Sequence, residues 1–544
     1  MSERAASPPE LPIEQAVGQL VFSFVGDRLG LIEEMLQAGQ IGAVILSRGD
    51  MVTPEQTAHL SNHLQKLSPE PLLTGADFEA GVGQQVQEGA TELPTLMAIG
   101  ATRSQAIART CGEITGREAR AIGVHLPLAP VLDVNSNPAN PIIGYRSFGQ
   151  EASLVAELGV AFCQGVADAG ALACGKHFPG HGDTATDSHL ALPTVTRTRA
   201  DFEETDLRPY RACIAGGLPA VMTAHIVVPA LDPTPGLPAT LSYLMLTDLL
   251  RLQFGFEGLI ITDAMGMRAI ADGFAAGDAA IQAVQAGADL VLTPDPRETY
   301  RALLGAVRTG ELAAERVQQS AARLRQAKRR VGLYDERLVD PSAAGSAVGT
   351  EEHTARALEA AEAAVTIVRN EGALPLAGPA WSAPAVVSCS EPHGASAAAA
   401  AVLRREVGSR HPQARFVELP SEPTVEQQRF VAQAVAEAQC VVVAVFPLIG
   451  SLQPHSGEPA DAHLRLTHDA QAARKRVVVV SFGSPYVVRH FPTVAGYVCA
   501  YGATRPLVEA AVAALFGEIV PAGRLPVELP GVGEVGWGLT YGSG

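Results

Sequence analysis

A chain of 544 residues is too long for one ordinary hydrophobic core, and 47% hydrophobic against 18% charged residues specifies packed domains rather than disorder. A formal charge of −17 argues against nucleic acid as the main partner, because phosphate needs a basic face, and disfavours docking on an anionic membrane. A small anionic substrate met by a few local cations stays compatible with it.

The first residues, MSERAASPPELPIEQAVGQLVF, lack a basic stretch leading into an apolar run, so a cytoplasmic location is expected. No stretch reaches the roughly 18 apolar residues that span a bilayer. The seven cysteines are scattered and form no CxxC pair, which reads as free thiols and not as a disulfide framework or zinc site.

Short apolar runs then recur in chain order: QLVFSFVG (19–26), IGAVILSR (41–48), PLLTGADFE (71–79) and VHLPLAPVLDV (124–134). ALACGKHF (171–178), AVMTAHIVV (220–228), LIITDAM (259–265) and DLVLTP (289–294) follow, with alanine-rich amphipathic segments such as 153–170 between them. Continuous apolar strands alternating with helices signal a parallel sheet covered on both faces. Eight of them predict an α/β fold, a (β/α)8 TIM-like barrel over residues 1–335. An open doubly wound sheet is the alternative, but no GxGxxG turn opens the first helix. The barrel is expected to end with the helix at 313–332, and 336–359 has linker composition. Five more apolar runs, at 363–370, 384–390, 439–446, 476–483 and 496–502, predict a smaller α/β sandwich within 360–544.

Barrel chemistry sits at the C-terminal ends of strands. Asp77 and Glu79 end the third run, Arg146 follows the fourth, Lys176 and His177 end the fifth, His225 the sixth and Asp263 the seventh. Asp263, in LIITDAMGM, is either a cap for the next helix or a functional carboxylate. The loop GKHFPGHGDTATDSHL (175–190) is dense in titratable groups. His177 and His181 are separated by Pro179 and Gly180, which forbid a helical metal-ligand pair, and the order of a phosphate-binding loop is absent. Proton delivery fits better: in TDSH (186–189), Asp187 can orient and charge-stabilise His189. Two solvated polar residues on a loop is the plain alternative.

At this point KHFPGHGDTATDSH (176–189) followed by LP (192–193), and ITDAMGM (261–267), resemble the motifs of family 3 glycoside hydrolases, in the β-N-acetylglucosaminidase branch. The resemblance extends through DFEAG (77–81), 129–149, VMTAHIVVPALD (221–232) and AGADLVL (286–292), and into 364–376 and 515–530. It implies retaining hydrolysis of terminal β-linked N-acetylglucosamine, from peptidoglycan fragments, without a cofactor or metal. Asp263 matches the nucleophile, His189 the acid/base and Asp187 its partner. Asp77, Arg146, Lys176 and His177 match positions that hold sugar hydroxyls, with His225 lining the same pocket; Glu79 and His181 are expected to brace backbone and loop. A histidine in place of the usual second carboxylate still works, since imidazolium donates a proton and imidazole accepts one.

Two departures stand out. Gln84 and Gln85 occupy a stretch where the family often has an arginine. Glu458 could be read as the second-domain acid/base of the glucosidase branch, but with Asp187 and His189 present it is read as surface loop. The same residues would serve phosphorolysis, with phosphate replacing water. A β-glucosidase or xylosidase is a further reading, and so is a sugar-binding protein on an inactive barrel, which would be expected to lack Asp263 or His189.

Overall fold

The structure, a computed structural model, describes residues 10–188, 190–378, 381, 383–449 and 457–541. It forms two compact units. One comprises the chain up to Thr91, Ala108–Val134 and Gly159–Thr350; the other comprises Glu92–Ile107, Asn135–Leu158 and the chain from Glu351 onward.

In the first unit each of the eight apolar runs contains a strand: β1 Val21–Phe24, β2 Ala43–Ile45, β3 Leu73–Ala76, β4 Leu126–Pro127, β5 Cys174–Phe178, β6 Ala220–Thr223, β7 Leu259–Ile261 and β8 Val291–Thr293. All pairings are parallel, in the orders β4-β3-β2-β1-β8 and β5-β6-β7. Single parallel bridges at Val131–Lys176 and Ile261–Leu290 join the two arcs, so the arrangement is barrel-like.

Strand side chains alternate between faces. Phe22, Ile45, Leu73, Leu126, Cys174, Met222, Ile261 and Leu292 form one buried cluster from the inward positions. Gly75 is small because the Phe22 ring fills its place: a Cβ there would lie 3.2 Å from Phe22 Cζ. Extending the same rows by two residues, Leu73–Gly75–Asp77, Cys174–Lys176 and Ile261–Asp263, carries Asp77, Lys176 and Asp263 to the C-terminal mouth. At the opposite end, buried Asp289 accepts from Ser320 Oγ at 2.7 Å, the Ile260 amide at 3.0 Å and Arg323 at 3.2 Å, and it also pairs with Arg251. That knot ties β7 and β8 to the helix Ala314–Arg330.

The second unit holds one six-stranded sheet: β9 Thr366–Asn370, β10 Pro384–Cys389, β11 Arg415–Glu418, β12 Cys440–Val445, β13 Arg476–Ser481 and β14 Gly496–Cys499, in the order β11-β10-β12-β13-β14-β9. Only β9 is antiparallel to its neighbour. The sixth strand corrects the expectation of five. β11 is an edge strand, RFVE, with one buried residue, so it shows no continuous apolar run. Residues 336–359, expected as a linker, hold the helix Pro341–Ala347 and much of Glu351–Ala364. The Asp340 carboxylate accepts the Ser342 amide at 2.9 Å and Pro341 starts the first turn, so the polar composition reflects capping. The seven cysteines are buried free thiols. Among the described residues no helix is long and apolar enough to cross a membrane.

Candidate active site

Midway along β5, the Lys176 ammonium is 3% exposed and lies 2.7 Å from both Asp77 Oδ1 and Glu79 Oε1. One buried cation thus balances two carboxylates from the β3 loop. Gln85 donates to the Asp77 carbonyl at 3.2 Å, and Gln84 Oε1 accepts from the Ala80 amide at 2.8 Å. The two glutamines that replace the expected arginine therefore brace the backbone of this loop.

Beside Lys176, His177 Nδ1 is 2.7 Å from Asp133 Oδ2, and the same fully buried carboxylate accepts the His181 amide at 2.7 Å. Burial penalises the charge on Asp133, but His177 and His181 outweigh it and keep the carboxyl below its ordinary range. A carboxylate only accepts, so His177 Nδ1 donates to Asp133, and that bond fixes the orientation of the ring. Asp133 was missed in the sequence because it sits inside the apolar run 124–134, where nothing sets it apart from an end-of-strand polar residue.

Asp263 is half-buried just past β7, and its Oδ1 accepts the Ala264 amide at 2.7 Å. The next helix, Arg268–Ala271, is preceded by Met267 at its cap, so Asp263 is not the cap of that helix. Burial raises its pKa, yet His225, His177, the Ala264 amide and Lys176 together draw it below the ordinary carboxylate range. An ionised, desolvated carboxylate at a barrel mouth is a competent nucleophile. His225 is fully buried; its Nε2 lies 3.1 Å from the Ala264 carbonyl and its Nδ1 2.8 Å from Thr240 Oγ1. Its Nε2 thus meets the residue next to Asp263, and its Nδ1 meets Thr240.

The loop after β5 lies close against the strand ends. A Cβ on Gly182 would come 1.8 Å from the Val134 carbonyl oxygen, so only glycine fits there. Fully enclosed His181 braces the loop from inside, with Nδ1 2.8 Å from Thr184 Oγ1 and Nε2 3.0 Å from Ser188 Oγ. On the other side Arg197 reaches Asp183 and Asp206. Burial pushes the Asp206 carboxyl up to about 6; Arg197 and Thr205 lower it, and Asp133 and Asp183 add to the rise. Asp187 is buried, and its carbonyl accepts the amides of Leu190 at 2.9 Å and Ala191 at 3.1 Å. His189 lies outside the described residues.

The first unit thus brings Asp77, Lys176, His177, His225 and Asp263 together. Arg146 belongs to the second unit, on the turn Gly144–Arg146, where it donates to the Ile142 carbonyl at 2.9 Å. Glu458, also in the second unit, is paired with Arg489 and lies 2.8 Å from His490 Nε2.

Residues 13–327 match the N-terminal domain of glycosyl hydrolase family 3. The chain is 36% identical over 374 residues to β-hexosaminidase A of Pseudoalteromonas piscicida, a match spanning 63% of this chain and 62% of that protein. It is 29% identical over 550 residues to the β-N-acetylglucosaminidase/β-glucosidase of Cellulomonas fimi, covering 95% and 94% of the two chains. A solved family 3 β-N-acetylglucosaminidase from Paenibacillus sp. str. FPU-7 superposes with a TM-score of 0.87 at 33% identity, over 95% of this chain and 99% of that one.

Proposed function

We propose, because this chain belongs to glycosyl hydrolase family 3 and is a glycoside hydrolase of its β-hexosaminidase branch, that it is a retaining exo-β-N-acetylglucosaminidase built on a closed (β/α)8 barrel. The observation that carries this reading is the state of Asp263: a carboxylate drawn below its ordinary pKa at the mouth, with one oxygen already taken by the Ala264 amide.

In the proposed reaction the other Asp263 oxygen attacks the anomeric carbon. The bond to the leaving oxygen breaks, and that oxygen takes a proton from His189. The glycosyl-enzyme is then attacked by water, whose proton returns to His189, and Asp263 leaves. Asp187 keeps the His189 imidazolium favourable. Lys176, Asp77 and His177 orient the sugar through hydrogen bonds, and His225 acts on Asp263. Fragments of peptidoglycan bearing β-linked N-acetylglucosamine are the proposed natural substrate.

The test is nitrophenol release from the 4-nitrophenyl β-glycosides of N-acetylglucosamine and glucose, with and without phosphate, by the unaltered protein, Asp263→Ala and His189→Ala. Preference for N-acetylglucosamine, indifference to phosphate and loss in Asp263→Ala support the proposal. Stimulation by phosphate with formation of a sugar 1-phosphate would replace hydrolysis with phosphorolysis. Preference for glucose with an active His189→Ala would move the acid/base elsewhere, and Glu458 would be tested next.

A further inference from the structure

Arg197 is 18% exposed and grips two acidic side chains at once. Its Nε donates to Asp183 Oδ2 at 2.8 Å, within the loop that follows β5. One terminal nitrogen donates to Asp206 Oδ2 at 2.8 Å and to Thr205 Oγ1 at 2.9 Å, at the start of the helix Leu207–Ala215. Asp206 is fully enclosed, and its other oxygen, Oδ1, has no hydrogen-bond partner among the described residues. That oxygen faces the same loop further upstream: a Cβ on Gly180, whose φ is +140°, would sit 2.9 Å from Asp206 Oδ1 and 2.7 Å from its Cβ.

The loop is therefore seated on Asp206 at Gly180 and clipped to it, through Arg197, at Asp183. From the inner side His181 reaches Ser188, so Asp183–Ser188, which includes Asp187, is fixed at both ends. A buried carboxylate with one unsatisfied oxygen is costly for a purely structural role, and an apolar pair of similar volume would pack at least as well. What an ion pair adds is a defined direction at Asp183, four residues before Asp187.

We infer that Arg197 is a positioning residue for proton transfer: by joining Asp183 to Asp206 it sets the placement of the segment that carries Asp187 and leads into His189. The inference rests on the proposed retaining glycosidase with its proton donor in this loop.

A general acid matters most when the leaving group is poor. The experiment measures kcat/KM of the unaltered protein, Arg197→Lys and Asp183→Asn on phenyl and 2,4-dinitrophenyl β-N-acetylglucosaminides, with the melting temperature of each protein. Phenyl glycoside hydrolysis is expected to fall about 30-fold or more, and dinitrophenyl hydrolysis by no more than about threefold. The half-exposed Asp183 makes Asp183→Asn the variant that keeps the fold if Arg197→Lys does not. Equal losses on both substrates, or no loss on either, overturn the inference while leaving the glycosidase standing. Failure of the unaltered protein to cleave either substrate overturns the glycosidase and the inference with it.

Discussion

His225 Nε2 lies 3.1 Å from the carbonyl oxygen of Ala264, the residue whose own amide donates to Asp263. A carbonyl only accepts, so Nε2 carries the proton, and the imidazole holds in place the residue that orients the proposed nucleophile. His225→Phe removes the bond and the nearby imidazole that lowers the Asp263 pKa. The expected outcome is a kcat/KM lower by about 10- to 100-fold, with the acidic limb of its pH profile moved to higher pH. A pH–rate profile beside a melting curve checks it; an unmoved limb contradicts the assignment.

Lys176 sits between Asp77 and Glu79 with almost no exposure. Lys176→Met leaves the buried Glu79 carboxylate and its half-exposed neighbour without their shared cation, and is expected to destabilise the protein by about 3 kcal/mol. In the proposed mechanism it also raises KM. Urea unfolding and steady-state kinetics read the two effects separately.

Acid should unfold this protein through two buried histidines. Burial lowers the pKa of His125 to about 3, with Arg120 and Lys328 adding to the effect, and lowers that of His181 to about 4 despite the attraction of Asp133. Both stay neutral in the fold, whereas the unfolded chain takes up protons below about 6.5. Their contribution is present above that pH and is lost as pH falls toward 4 and 3. Between pH 6.5 and 5 each costs about 2 kcal/mol of stability. Urea midpoints across this range should fall, and His125→Asn should flatten the slope by about half.

Gly182→Ala would press a methyl group into the Val134 carbonyl. The loop must lift from the strand ends, so activity is expected to drop at least about 100-fold, with a much smaller change in melting temperature. Comparable losses in both would mean that the loop belongs to the core.

Much of this was legible because burial on both faces writes itself as an apolar run. Each of the eight runs between residues 19 and 294 holds a strand, and period-two extension alone brings Asp77, Lys176 and Asp263 to one rim. Asp133 was hidden because a polar residue enclosed beneath a loop has no sequence period of its own. β11 was hidden because an edge strand need not be apolar. His225 was seen as a rim residue, but its partner is a backbone carbonyl, which sequence never displays. Nor does local pattern show which core a helix joins.

That last point reaches beyond the folded state. Met97, Ala98 and Ala101 belong to the same core as Val442 and Val478. During synthesis, at roughly 5–20 residues per second, the helix Leu96–Thr102 leaves the ribosome tens of seconds before the strands that will cover it. A chain ended near residue 350 would therefore never bury those side chains. A fragment of that length is therefore expected to expose these apolar side chains and to aggregate more readily than the whole chain.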